Sequence, residues 1–159
     1  VSNVLQIPEQ IAINTLTAFT GVEGRLQLVR EVNGVRFVND TNATTPDATL
    51  AGLKALSENK NVILIMGGHD KGIDMKKLTD AIPTYAKRVL LLAGSGTNRI
   101  LPTLPDASVF DSLQGAFNEA VSYAKAGDVI LLSPAFASFG MFKNEYDRGD
   151  QFVELVQRV

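Results

Sequence analysis

The sequence predicts an α/β fold, a mostly parallel sheet flanked by helices on both faces. Three observations predict it. The runs Val62-Ile63-Leu64-Ile65-Met66, Val89-Leu90-Leu91-Leu92-Ala93 and Val129-Ile130-Leu131-Leu132 are apolar without alternation, as in strands buried on both faces. Each ends at glycine or at Ser-Pro, and helical patterns lie between them, the order of a parallel sheet with crossover helices. Asn33-Gly34 joins two strand-like runs and supplies both positive-φ positions of a tight turn. The architecture is therefore Rossmann-like, with an N-terminal β-hairpin contributing an antiparallel strand.

In chain order, Pro8 suits a first helical turn, Ile11, Thr15, Leu16 and Phe19 recur at helical spacing, and Gly21 stops the helix. Residues 25–32 and 35–38 form the arms of the hairpin. Thr45-Pro46-Asp47 reads as an N-cap, a first-turn proline and an acid at the positive helix end, followed by the stripe Leu50, Leu53, Ala55, Leu56. After the strand at residues 62–66 comes a helix over 75–82. After the strand at 89–93 come a short helix near 97–101 and a longer one over 113–125, capped by Asp111 or Ser112. The strand at 129–132 precedes a last helix over about 141–159. One domain boundary is visible, at residues 21–24.

Composition bounds the chemistry. The 159 residues, 45% hydrophobic and 20% charged with a net charge of −2, suit a globular domain and give no electrostatic reason to expect nucleic acid or a membrane surface. With no cysteine and a single histidine, His69, thiolate chemistry and multi-histidine metal centres are excluded. No apolar run approaches the roughly 18–20 residues that cross a bilayer, and no basic stretch precedes an apolar one near the N-terminus, so a cytoplasmic location is expected.

In a sheet of this kind ligands bind beyond the carboxyl ends of the strands. Those ends carry four polar or glycine-rich loops. Gly67-Gly68-His69-Asp70-Lys71-Gly72 either holds an anion, with backbone amides and an ammonium, or is a strand-to-helix turn with a solvated lysine. His69 reads as a hydrogen-bonded loop residue. Asn39-Asp40-Thr41-Asn42-Ala43-Thr44-Thr45 holds more polar side chains than a helix cap uses, and Asp40 suits a ribose. Gly94-Ser95-Gly96-Thr97-Asn98-Arg99 is a broken dinucleotide fingerprint, with arginine at the third glycine's place, and reads as a turn feeding a helix. Residues 133–140 either line a pocket or pack under the last helix. The run from Lys143 to Asp150 reads as a solvated helix face, but Gly149 inside it would cost about 1 kcal/mol relative to Ala, so something local requires it. No G-x-x-x-x-G-K-[ST] loop is present, which excludes triphosphate binding by that route within this chain.

Taken together, these segments resemble the C-terminal domain of the Mur ligases, along almost the whole chain. Gly21-Val22-Glu23-Gly24-Arg25 resembles the junction with the central ATPase domain, making residues 1–20 that domain's terminal helix and residues 21–159 the C-terminal domain. Asn39-Asp40 with Ala43-Thr44, the 67–72 loop, Ser133-Pro134-Ala135 with Ala137-Ser138, and Phe142-Lys143-Asn144 with Arg148-Gly149 follow the order and spacing of the D-glutamate-adding branch. The His-His-Pro and Asp-Asn-Pro-Arg signatures of sister branches are absent.

The resemblance implies an ATP-dependent ligase adding D-glutamate to UDP-N-acetylmuramoyl-L-alanine in cell-wall synthesis, through an acyl phosphate that the amine attacks. It implies that Arg25 and Asp40 contact the nucleotide, and that Thr44, Lys71, Ser138, Phe139 and Asn42 serve the amino acid. ATP and Mg2+ would be bound mainly by the central domain, so the 159-residue chain by itself is expected to be inactive, with no catalytic or metal-binding residue of its own. Two positions depart from the pattern. Thr41-Asn42 stands where many members carry Ser-Lys, removing a positive charge near the amino-acid pocket, and Glu145 stands where an aromatic is common. The alternatives are another amide ligase of the superfamily, such as a folylpolyglutamate synthase or a cell-wall peptide recycling ligase, and a non-catalytic nucleotide- or anion-binding module.

Overall fold

The computed structural model describes residues 5–19 and 21–159; the remaining parts of the expected first helix and its terminus, residues 1–4 and 20, lie outside the described residues. Helix α1 (Glu9–Thr17) is followed by β1 (Gln27–Val32), β2 (Val35–Asn39), α2 (Pro46–Leu56), β3 (Val62–Gly67), α3 (Lys76–Tyr85), β4 (Ala86–Leu92), α4 (Ser95–Ile100), β5 (Ser108–Phe110), α5 (Leu113–Tyr123), β6 (Val129–Leu132) and α6 (Glu145–Gln157). The strand order is β1-β2-β6-β3-β4-β5. Among the strands of the described sheet, β1 and β2 pair antiparallel and the remaining strand pairs are parallel. Asn33 (φ 51°) and Gly34 (φ 76°) take the two left-handed positions its tight turn needs.

Strand pleating splits the apolar runs between two layers. Val62, Leu64 and Met66 of β3 face α2, α3 and α4, packing among Leu53, Leu78, Ile82 and Ile100. Ile63 and Ile65 face α5 and α6, among Phe117, Ala120, Phe152 and Val156. A strand with a core on both sides has no polar face, which is why these runs do not alternate.

The topology places the site. After β2 the chain runs outward through β3, β4 and β5, then returns by α5 to insert β6 between β2 and β3. That insertion is the switch point, and the loops leaving β2, β6 and β3 open side by side there.

The observed elements refine several expectations. Pro8 is the N-cap of α1 and not its first helical residue. Ser112, not Asp111, caps α5, accepting the Gly115 N–H at 3.1 Å. The last helix starts at Glu145, because Asn144 accepts the Asp147 N–H at 2.9 Å and sets the N-cap there. Helix α3 continues through Pro83 to Tyr85. The three-residue edge strand β5 lies outside the expected elements, being too short for a periodic signal. No residue of α1 is buried, and Leu5, Ile7, Ile11, Leu16 and Phe19 are exposed around it.

Candidate functional site

Four loops meet at the carboxyl edge, and the hydrogen bonds between them are long-range. The loop after β2 joins the loop after β6 through Ala135 N–H to Ala43 O (2.9 Å). The loop after β3 joins it twice: Gly67 N–H donates to Pro134 O (2.9 Å), and His69 and Ala137 exchange a bridge pair at 2.9 and 3.2 Å. The loop after β4 is tied to that of β3 by Gly96 N–H to Gly68 O (2.9 Å). Residues 133–138 are thus the central tie. Ala135 sits at φ 61°, a conformation that costs an L-residue and is held here by its bond to Ala43. Gly68 permits a close approach, since a Cβ there would stand 2.3 Å from Ala137 O.

This stitching brings together the backbone next to four of the five expected amino-acid residues. Thr44 follows Ala43, Lys71 lies two residues beyond His69, and Ser138 and Phe139 follow Ala137. Thr44 is half-buried, and Ser138 is buried with no hydrogen-bond partner for its hydroxyl among the described residues. Lys71 is exposed and has no ion-pair partner among them. Phe139 is exposed and packs edge-on against His69, ring centroids 6.2 Å apart. His69 Nδ1 lies 3.3 Å from Ser95 Oγ, so the histidine is a hydrogen-bonded loop residue, as its context predicts.

Asp40 and Arg25 form a second group. The Asp40 carboxylate is buried and engaged internally, Oδ1 accepting Leu26 N–H (3.1 Å) and Oδ2 the Ser133 hydroxyl (2.8 Å). Burial raises its pKa above the usual carboxylate value, while Ser133, the Leu26 amide and the Arg25 charge pull it back. Leu26 takes φ 44° to present that amide. Asn42 belongs with this group: its side chain donates to Glu23 O (3.2 Å) and its backbone N–H to Gly24 O (3.0 Å). A Cβ on Gly24 would meet Asn42 Nδ2 and Thr41 Cγ2 at 2.9 Å, so glycine lets the segment entering β1 lie flat on the 39–44 loop.

The residue least legible in the sequence is Arg148. The solvated face expected over Lys143 to Asp150 is interrupted by it, for it is fully buried. Its Nε donates to Thr41 Oγ1 (3.0 Å), Nη2 to Thr41 O (2.8 Å) and Nη1 to Phe136 O (3.5 Å), clamping two rim loops to α6. Gly149 is required beside it, since a Cβ would press 2.7 Å from Thr41 Cγ2. The signal available in the sequence was that glycine inside a helix.

Three comparisons identify what this arrangement is similar to. The family described as "Mur ligase, glutamate ligase domain" matches residues 24–136. The chain is 45% identical over 146 residues to the "UDP-N-acetylmuramoylalanine--D-glutamate ligase" of Borreliella afzelii, covering 89% of this chain and 32% of that protein. It is 42% identical over 155 residues to the protein of the same name from Acetivibrio thermocellus, covering 90% and 33%. The chain spans about a third of the length of these curated relatives. Among solved structures, MurF from Acinetobacter baumannii superposes with a TM-score of 0.71 at 12% identity, covering 99% of this chain and 35% of that one. MurF from Thermotoga maritima in complex with ADP gives 0.64 at 19%, covering 94% and 37%. A bifunctional folylpolyglutamate synthase/dihydrofolate synthase from Yersinia pestis gives 0.65 at 15%, covering 94% and 34%. Identities this low speak to fold alone.

Proposed function

The chain belongs to the Mur ligase family as its glutamate ligase domain, and from that premise we propose that it delivers D-glutamate in an ATP-dependent ligase acting on UDP-N-acetylmuramoyl-L-alanine. The observation that carries this reading is the pairing of Ala43 with Ala135 and of His69 with Ala137, which brings the backbone of Thr44, Lys71 and Ser138 to one rim. A dicarboxylate suits such a rim. The Lys71 ammonium supplies a point charge for one carboxylate, and Thr44, with Ser138 and the Phe139 backbone, supplies neutral donors. Arg25, beside the buried Asp40, faces the nucleotide.

The intact ligase transfers phosphate from ATP to the terminal carboxylate of the UDP-linked substrate. The amine of D-glutamate attacks the acyl phosphate, and the tetrahedral intermediate collapses to an amide and free phosphate. This domain's residues hold the amino acid so that its amine meets the acyl carbon, a proximity contribution gated by domain closure. Mg2+ and the phosphates of ATP are assigned mainly to the rest of the ligase, as the family resemblance implies. Residues 1–20 are assigned to that part, and the exposed Leu5, Ile7, Ile11, Leu16 and Phe19 would pack there. No described helix is long and apolar enough to cross a membrane. The reading places the enzyme in the cytoplasm, where ATP is available.

The test is phosphate release by the intact ligase with UDP-N-acetylmuramoyl-L-alanine, ATP and single amino acids. Release that depends on D-glutamate supports the reading. Release that follows L-glutamate, a diamino acid or a folate substrate instead would replace it with another superfamily activity.

A further inference from the structure

Residues 94–99, the broken dinucleotide fingerprint, have no part in the reaction proposed above. Their glycines admit protein. A Cβ on Gly94 would stand 2.3 Å from Gly68 O, and one on Gly96 2.4 Å from the Phe136 ring. Their polar groups are turned to the loop that carries Lys71: Gly96 N–H donates to Gly68 O (2.9 Å), Thr97 Oγ1 accepts Gly68 N–H (3.4 Å), and Ser95 Oγ accepts Asp70 N–H (3.0 Å). Arg99 completes the contact. Its Nη2 donates to Ile73 O (2.5 Å) and stands 3.1 Å from Asp70 Oδ1.

Asp70 and Ile73 bracket Lys71. Asp70 is also the carboxylate beside Lys71 in the chain, the natural competitor for its ammonium. Its Oδ1 is already taken by Arg99 and by the Gly72 N–H (2.9 Å). We infer that Arg99 is a positioning residue for Lys71: shared between Asp70 Oδ1 and the Ile73 carbonyl, it fixes the stretch carrying the lysine and leaves the lysine's ammonium free for an anionic guest. The inference rests on Lys71 as the holder of a D-glutamate carboxylate. The ion pair itself is partly exposed, with 39% of the Arg99 and 26% of the Asp70 side chain accessible, so it contributes little to stability. Its removal acts on affinity.

The experiment is a double-mutant cycle in the intact ligase, with R99Q, K71A and the pair. R99Q raises the KM for D-glutamate about 5- to 20-fold, leaves kcat and the KM for ATP within about twofold, and leaves Tm within about 2 °C. In the K71A background R99Q adds less than about twofold, because its partner in function is gone. R99K, which keeps a charge on Asp70 but not the planar fork, falls between parent and R99Q. A raised KM in K71A beside an unchanged KM in R99Q overturns the inference alone, as do effects that multiply in the double variant. An unchanged KM in K71A overturns the role of Lys71 and the inference with it.

Discussion

Arg148 holds a full charge where water does not reach, and no carboxylate pairs with it in the described structure. Burial pushes its guanidinium down to about 10 against the opposing pull of Glu145, so it stays protonated at neutral pH. Replacing it by Met removes the desolvation penalty but orphans the Thr41 and Phe136 carbonyls, each costing roughly 1–3 kcal/mol, while the Thr41 hydroxyl keeps its bond to Glu145 O. The orphaned groups win, and R148M is expected to lose about 2–4 kcal/mol in urea unfolding, with R148K recovering part of it. Asp40 gives a pH signature. A carboxyl raised in the folded state binds more protons there than in the unfolded chain, so stability falls as pH rises between the two values. Relative to Asp40→Asn, the parent is most favoured below the ordinary value of 3.8 and loses that advantage as pH climbs through the raised native value. Unfolding of both chains across pH checks the sign; an advantage that grew with pH would contradict it. The family resemblance marked Arg148 and Asp40, but the burial of neither was readable in the sequence. Arg148 bonds Thr41 from 107 positions away, and nothing in a run of charges marks which one the fold will bury.

Among the elements, α6 is where local preference and packing disagree. Helix propensity favours Ala over Gly149 by about 1 kcal/mol. The Thr41 methyl would then meet a new Cβ at 2.7 Å, and Thr41 cannot turn away, because its Oγ1 donates to Glu145 O (2.7 Å) and accepts from Arg148. Overpacking of this kind costs about 1–3 kcal/mol, so G149A is expected to lower Tm; a stabilised variant would show that the helix can shift. The same helix illustrates what a sequence conveys. Its existence and the requirement for a glycine were legible from periodicity and propensity, but its start was misplaced by four residues, from Met141 to Glu145, since several polar residues there can serve as an N-cap. The buried strands β3, β4 and β6 were legible because burial on both faces leaves a continuous apolar run. The edge strand β5, half exposed and three residues long, leaves none.

For the whole molecule, the switch point at β6 turns separate loops into one rim, and the family resemblance supplied what topology could not, a proposal for the guest. The purified 159-residue chain is expected to show no ATP hydrolysis, since its sequence carries no phosphate loop of the Walker type. Hydrolysis by this chain alone would contradict the assignment of phosphate chemistry to the rest of the ligase. The account stands most directly on Lys71. In steady-state turnover of the intact ligase, Lys71→Ala should raise the KM for D-glutamate at least about tenfold and leave that for ATP nearly unchanged, the mark of a lost contact to the amino acid. A D-glutamate KM equal to the parent's would contradict the account.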